Sequence, residues 1–206
     1  MHSVFITGIP TAGKSFLADK LCTSLGTRHV KLDDLWDTVQ HDPLLEPWYN
    51  YFWHKDEAEY YRTSSPEKLW QDIVDQSEAI WPTAKKQIEE ILSEGKPAIF
   101  EGVGLLPHLM QQLPLKGVVL VAASEDQIFE RLKQKPRWSD KEELQRVEAH
   151  MFFTVERPNY LAQAEKYGYP SFSDPDTAEA ELQVLTHGIL SRALCTPREA
   201  STNRSF

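Results

Sequence analysis

The chain has 206 residues, with 22 lysines and arginines against 31 aspartates and glutamates, a formal charge of −9. Its 41% hydrophobic and 26% charged residues describe an ordinary globular protein, long enough to bury a core of its own. The acid excess excludes binding of nucleic acid through neutralised phosphates, and no run of 18 apolar residues offers a membrane-spanning helix.

The first residues, Met1-His2-Ser3-Val4-Phe5-Ile6-Thr7, pass straight into a strand-like run, without the basic stretch and apolar core of a secretory signal. Residues 14–25 follow as a helix, with Leu17, Leu21 and Leu25 at four-residue spacing, and 28–32 as a second strand ending at Asp33-Asp34. Cys22 falls on the apolar face of that first helix, where a reduced, buried thiol is the plain reading. The other cysteine, Cys195, is far away in sequence. The expected compartment is the cytoplasm.

Ser65-Pro66 reads as a helix N-cap followed by proline at the first helical position. Leu69, Ile73, Ile80, Ala84, Ile88 and Ile91 keep helical spacing up to a stop at Gly95, and Pro82 should kink or divide this helix. Ala98-Ile99-Phe100 forms a third strand ending at Glu101-Gly102, and Gly117–Ala122 a fourth, continuously apolar as in a parallel sheet covered on both faces. Ser124 caps a helix running through Arg131-Leu132. Ser139 opens another, broken near Pro158; a short strand lies around 169–173 and a helix from about 176 to 194. This alternation predicts a single α/β domain over residues 1–195 with a central parallel sheet, and a polar, frayed tail over 196–206.

The most specific feature is Gly8-Ile9-Pro10-Thr11-Ala12-Gly13-Lys14-Ser15, a full match to G-x-x-x-x-G-K-[ST] set between a strand and a helix. Glycines let backbone N–H groups turn inward around a phosphate, and the helix that follows points its positive end at the same anion. Lys14 would reach the β- and γ-phosphates, and the Ser15 hydroxyl would ligate Mg²⁺. This loop predicts a nucleoside triphosphate site.

The charge is unevenly placed. Residues 33–75 hold eleven acids against Lys55, Arg62 and Lys68, a balance of −8, while the other 163 residues carry 19 bases and 20 acids. The same segment is rich in aromatics: Trp36, Trp48, Tyr49, Tyr51, Phe52, Trp53, Tyr60, Tyr61 and Trp70. Two readings stand side by side, a solvated acidic face over packed rings and a pocket lined by acids and rings.

The order of features resembles the P-loop small-molecule kinases. Phe100-Glu101-Gly102-Val103-Gly104-Leu105-Leu106-Pro107 looks like the E-G-V-x-x-x-P segment of 2-phosphoglycerate kinase-like proteins, and Glu101-Gly102 resembles uridine kinases. The loop together with Asp33 resembles chloramphenicol phosphotransferase, and Arg131-Leu132-x-x-Lys135 the R-L-x-x-R lid entrance of nucleotide kinases. Most motor and AAA+ proteins are longer, and the guanine-reading N-K-x-D is lacking.

The resemblance implies a P-loop NTPase fold, a five-stranded parallel sheet of order 2-3-1-4-5 flanked by helices, with residues 34–95 as a helical acceptor-binding region and 131–158 as a lid. It implies ATP and Mg²⁺ as cofactors and a small-molecule acceptor as partner, with no nucleic acid and no membrane. Gly8, Ile9, Pro10, Thr11, Ala12, Gly13, Lys14, Ser15, Phe16 and Arg131 would bind the nucleotide, and Ser15 and Glu101 the metal.

Asp33 is favoured over Asp34 as the base that takes the acceptor proton, because it comes first after the strand; one of the two could instead be an N-cap. Lys14, Arg131 and Arg137 would meet the transferring phosphoryl group, with Lys135 and Arg157 as further cations, against the plainer reading of a solvated basic turn. An anionic acceptor needs arginines, and the segment following strand two offers Arg62 alone. A neutral or cationic acceptor therefore fits best: a nucleoside, antibiotic, sugar or related metabolite. The alternative is a regulatory nucleotide-binding ATPase without an acceptor.

Overall fold

The structure, a computed structural model, describes residues 1–49, 51–52 and 54–187. Its centre is a sheet of five strands, all parallel, in the order β2-β3-β1-β4-β5. These are β1 (Val4–Gly8), β2 (Arg28–Lys31), β3 (Ala98–Glu101), β4 (Lys116–Leu120) and β5 (Ser171–Phe172). The central three are buried on both faces: β1 and β3 are buried throughout and β4 is buried after Lys116, whereas the edge strands β2 and β5 are partly exposed. The register pairs Ile6 with Glu101 and with Val118, and Lys31 with Glu101, so the carboxyl ends of β1, β2 and β3 lie side by side. Ligands of such sheets sit at that edge.

Helices flank the sheet. The first, α1 (Lys14–Leu25), ends at Gly26, whose φ of 62° is the left-handed stop that glycine allows. A single 3₁₀ turn, Leu32–Leu35, then leads into the short α2 (Trp36–Val39), and turns carry the chain to α3 (Glu57–Thr63). The next helix, α4, spans Pro66–Ser93, 28 residues, and starts as predicted: the Ser65 hydroxyl accepts the Lys68 N–H, and Pro66 occupies the first turn.

Pro82 does not divide it. The proline lies on the exposed side of α4, where water can meet the carbonyl left without its N–H donor, while Trp81, Ala84, Ile88 and Ile91 are buried around it. A short α5 (Pro107–Met110), which the sequence pattern did not announce, precedes β4, and α6 (Glu125–Gln134) carries the predicted Ser124 cap.

The second departure concerns residues 139–158. The helix begins at Glu142, not at Ser139; Ser139 instead accepts the Lys141 N–H on its hydroxyl and the Gln145 side-chain N–H on its carbonyl, pinning the turn before α7 (Glu142–Met151). Nor does the path break at Pro158. It widens into one π-turn, Phe152–Glu156, and continues as α8 (Arg157–Tyr167), with the Asn159 side chain bonded to the Val155 carbonyl. The last described helix is α9 (Pro175–His187); the expected extension to 194, Cys195 and the polar tail fall outside the described residues.

α1 and α9 pack together, joined by the Lys20–Glu179 ion pair, and Trp70 of α4 meets Tyr160 of α8 edge-on with ring centroids 5.3 Å apart. Cys22 is a free thiol, half-buried, and desolvation pushes its pKa up to about 11, which keeps it protonated and unreactive. None of the described helices is long and apolar enough to cross a membrane.

Candidate active site

The phosphate-binding loop is built by two constraints of shape. Gly8 leaves β1 with φ 127°, and a Cβ there would stand 1.9 Å from the Leu120 carbonyl oxygen, so no other residue lets β1 turn beside β4. Thr11 and Gly13 also have positive φ, 59° and 100°, which turns successive N–H groups of the loop toward one centre. Arg131 reaches from α6 to the outside of this loop and donates to the Thr11 carbonyl at 2.7 Å. Arg131, expected at the nucleotide, is thereby held against the loop that would wrap the phosphates.

Lys14 is 6% exposed, and its ammonium bonds to the carbonyls of Gly8 at 3.0 Å and Ile9 at 2.8 Å. Burial lowers its pKa, while Asp33 and Glu101 act in the opposite direction. Phe16 stands 66% exposed just beyond the loop, an apolar surface where a base could lie.

Beneath the loop, the Ser15 hydroxyl donates to Glu101 Oε1 at 2.8 Å. Glu101 is buried, which alone would raise its pKa. The Ser15 bond, the nearby Lys14, and His29, whose Nε2 lies 3.6 Å away, outweigh that and hold it below the usual carboxylate value. His29 in turn bonds through Nδ1 to Asp19 at 2.6 Å, and the two carboxylates raise its pKa. An ionised carboxylate touching a hydroxyl is an oxygen donor pair that fits Mg²⁺, which takes few protein ligands and keeps water and phosphate oxygens for the rest.

Asp33 follows β2 in the 3₁₀ turn, and its Oδ1 accepts the Val103 N–H at 3.1 Å, tying the end of β2 to the loop after β3. That loop is held from behind by Tyr160, whose hydroxyl donates to the Val103 carbonyl at 2.7 Å. The Asp33 side chain is open to the cleft, but the cleft is narrow: desolvation by its walls raises the carboxyl pKa and Glu101 adds to it, while Lys14, Arg137 and the Val103 N–H pull it down. Asp34 is exposed on the same turn and does not line the cleft. The structure thus separates two aspartates that were adjacent in sequence.

Next to Asp33 opens a cavity of about 370 Å³. Among the described residues, Asp33, Asp37, Glu148 and Glu156 are the acids in its wall and Arg137 is the one base there. Its rings come from the segment the sequence singled out: Trp36, Tyr49, Tyr51, Phe52, Tyr60 and Tyr61, joined by Trp81 of α4 and Trp138 of the turn before α7. They form a connected wall, with Tyr51 and Phe52 5.2 Å apart, Phe52 and Tyr60 5.9 Å, and Tyr60 and Trp138 5.8 Å between centroids.

Other members of that segment do not reach the cavity wall. Trp70 packs on Tyr160, and Asp72 is taken up by the Tyr60 hydroxyl at 2.9 Å and by Lys68. Trp53 lies outside the described residues.

Glu148 and Glu156 were not recognised in the sequence, and they alter where the acidity lies. Most of the eleven acids of 33–75 are surface groups; the two buried carboxylates of the cavity come instead from α7 and the π-turn. A signal existed. Glu148, Phe152 and Glu156 recur at four-residue spacing, which puts two acids at the ends of an inward, apolar stripe. Arg137 sits 3.9 Å through Nε from Glu148 Oε1. Arg157 turns away from the cavity and donates to the Ala122 carbonyl at 3.1 Å. Lys135, exposed at the end of α6, does not line the cavity.

The parallel 2-3-1-4-5 sheet, the glycine-lysine loop at the end of β1 and the acid at the end of β3 define a P-loop protein with the kinase-like strand order. The AAA_18 family, described as an AAA domain, matches residues 4–152, and the chain belongs to that family. Chain length argued against most AAA+ proteins, yet the matched stretch includes the loop, Asp33, Glu101, Arg131, Arg137 and Glu148. Among solved structures the chain is similar to TT1252 from Thermus thermophilus, with 20% identity over 91% of this chain and 98% of that one and a TM-score of 0.54, a likeness of fold. It is also similar to a shikimate kinase from Acinetobacter baumannii (14%, 92% and 96%, TM-score 0.49) and to a deoxyadenosine kinase from M. mycoides (16%, 91% and 100%, TM-score 0.48). No curated protein matches the sequence.

Proposed function

We propose that this protein is an ATP-dependent kinase that transfers the γ-phosphate to a hydroxyl of a small, neutral or cationic molecule. The observation that carries the reading is Asp33, a carboxylate of raised pKa that faces both the Lys14 end of the cleft and a roughly 370 Å³ aromatic cavity. A regulatory ATPase has no need of such a cavity beside its base.

In this reading the loop from Gly8 to Ser15 wraps the phosphates, Lys14 leaves its own carbonyls for the β- and γ-oxygens, and Phe16 and Arg131 border the nucleotide. Ser15 and Glu101 would hold Mg²⁺, whose charge neutralises the phosphate oxygens. The acceptor enters between α2, α3 and α4, within residues 34–95; its oxygen bonds to the γ-phosphorus as the bond to the bridging oxygen of ADP breaks, ADP leaves, and the hydroxyl proton goes to Asp33. Arg137, in the 131–158 lid, faces the developing charge. Residues 1–195 act as one unit of this kind, working in the cytoplasm, as the free, protonated Cys22 suits.

A transfer screen with γ-labelled ATP across nucleosides, aminoglycosides, sugars and small acids tests the reading. Label should appear on a hydroxylated, non-anionic acceptor and disappear with Lys14→Ala. ATP hydrolysis that no acceptor accelerates or diverts would support the regulatory ATPase instead.

A further inference from the structure

The cavity wall holds two carboxylates that the proposed transfer does not use. Glu148 is 2% exposed and Glu156 8% exposed, both face the cavity, and Oε2 of each lacks a hydrogen-bond partner. Burying an acid without a partner is costly, so such groups either pair with a cation or take up a proton. The cation at hand is inadequate. Arg137 comes no nearer than 3.9 Å to Glu148 Oε1 and acts on Glu156 only through space, as Lys14 does, and its half-exposed guanidinium is, among the described residues, the one cavity base left for a phosphoryl group. The other groups around the pair add no positive charge at contact: Glu57 and Tyr61 stand nearby on α3, Asp33 lies across the cavity, and Lys14 is bonded to its loop.

We infer that the acceptor carries a cationic nitrogen, an ammonium or guanidinium group, that ion-pairs with Glu148 and Glu156 inside the aromatic wall. This rests on the kinase reading only for the word acceptor; the site itself follows from two buried carboxylates whose Oε2 atoms lack hydrogen-bond partners. Three features fit it. Among the described residues the cavity wall has four acids and, to hold an anion, Arg137 alone. Two rings of this wall already attract a cation: the Lys55 ammonium lies 4.1 Å from the Tyr51 centroid and 5.5 Å from that of Tyr60. And protons replace the cation when it is absent: desolvation lifts the Glu148 carboxyl to about 7 and the Glu156 carboxyl to about 8.

The test is direct binding to the full chain, saturated with a non-hydrolysable ATP analogue, by calorimetry at pH 7.5. The probes are two matched pairs, choline with 3,3-dimethylbutan-1-ol and ethanolamine with ethylene glycol, which differ chiefly in the charged nitrogen. The charged member of at least one pair should bind tenfold or more tightly than its partner and release protons on binding. Glu148→Gln and Glu156→Gln should each erase that preference; they keep side-chain shape and remove an unpaired buried charge, and nucleotide binding serves as their folding control.

Equal binding of charged and uncharged members, binding of neither, or a preference that survives both substitutions overturns the inference. Cation binding without any phosphorylation would leave the site standing and sink the kinase reading. Phosphorylation of uncharged or anionic acceptors alone would do the reverse. If the Gln variants lowered kcat while KM for the acceptor held, the glutamates would be reacting groups and the binding role would be wrong.

Discussion

Ser15 and Glu101 are 86 residues apart in sequence, yet the Ser15 hydroxyl donates to the Glu101 carboxylate at 2.8 Å. The contact exists because β3 lies beside β1 with Ile6 opposite Glu101, so β3 stops two residues short of the end of β1 and Glu101 lies under the loop. It pairs the two oxygens that the proposed metal site requires. Ser15→Ala or Glu101→Gln should therefore lower transfer on the order of 100-fold and raise the Mg²⁺ concentration needed for half-maximal rate. Titrating Mg²⁺ at fixed ATP checks this, and an unchanged Mg²⁺ dependence in both variants would remove the pair from the metal site.

Asp33→Asn keeps the size of the side chain and an oxygen that can still accept the Val103 N–H, but it cannot take a proton. A loss of transfer of roughly 10²–10⁴-fold is expected, with nucleotide affinity measured by calorimetry unchanged. The same substitution at Asp34, exposed and outside the cavity wall, should leave transfer within about twofold of the parent, in keeping with the small effect of a surface change away from the site. If the two variants exchanged phenotypes, the base would be Asp34.

The buried glutamates make a prediction about pH and stability. Their folded pKa values, about 7 for Glu148 and about 8 for Glu156, lie above the 4.5 of an ordinary glutamate. Between those limits the folded chain holds more protons than the unfolded one, so this contribution is fully present below pH 4.5 and is lost as pH rises through 7 and 8. Each group can change stability by at most about 1.4 kcal/mol per pH unit in that window. Urea unfolding at pH 5.5, 6.5, 7.5 and 8.5 should show the decline, and Glu156→Gln, which cannot ionise, should flatten it. A parent and variant with the same slope would mean that Glu156 is not held protonated.

Gly8→Ala probes shape alone. The new methyl would fall on the Leu120 carbonyl at a φ that alanine avoids, and both costs land on the central strands β1 and β4. The variant should lose on the order of 3 kcal/mol or more, or fail to fold, read by thermal melting. By contrast Gly95→Ala, at positive φ but with open space around it, should cost only about 1 kcal/mol.

Much of the fold was legible in the sequence because its signals are local. Continuous apolar runs marked the buried strands β3 and β4, four-residue spacing marked α1 and α4, and Ser65-Pro66 and Ser124 marked helix starts through bonds that span only three residues. The prolines misled for a physical reason. Pro82 costs little where its missing donor faces water, and Pro158 is absorbed by a π-turn. Neither the solvent-facing side of a helix nor a widened turn is visible in a proline itself.

By itself, then, the sequence determined the strand-loop-helix phosphate site, the acids at the ends of β2 and β3, and the ring-rich segment that supplies much of the cavity wall. Tertiary structure decided which of these meet. It set Asp33 in the cavity wall and Asp34 outside it, bonded Arg131 to the Thr11 carbonyl, and left most of the acidic segment in solvent. It also brought Glu148 and Glu156 from α7 and the π-turn to face rings about 90 residues earlier in the chain. Charge along a chain counts only formal ions. What a carboxylate does depends on the water it loses and the partners it meets, and both are set by how the helices close over the sheet.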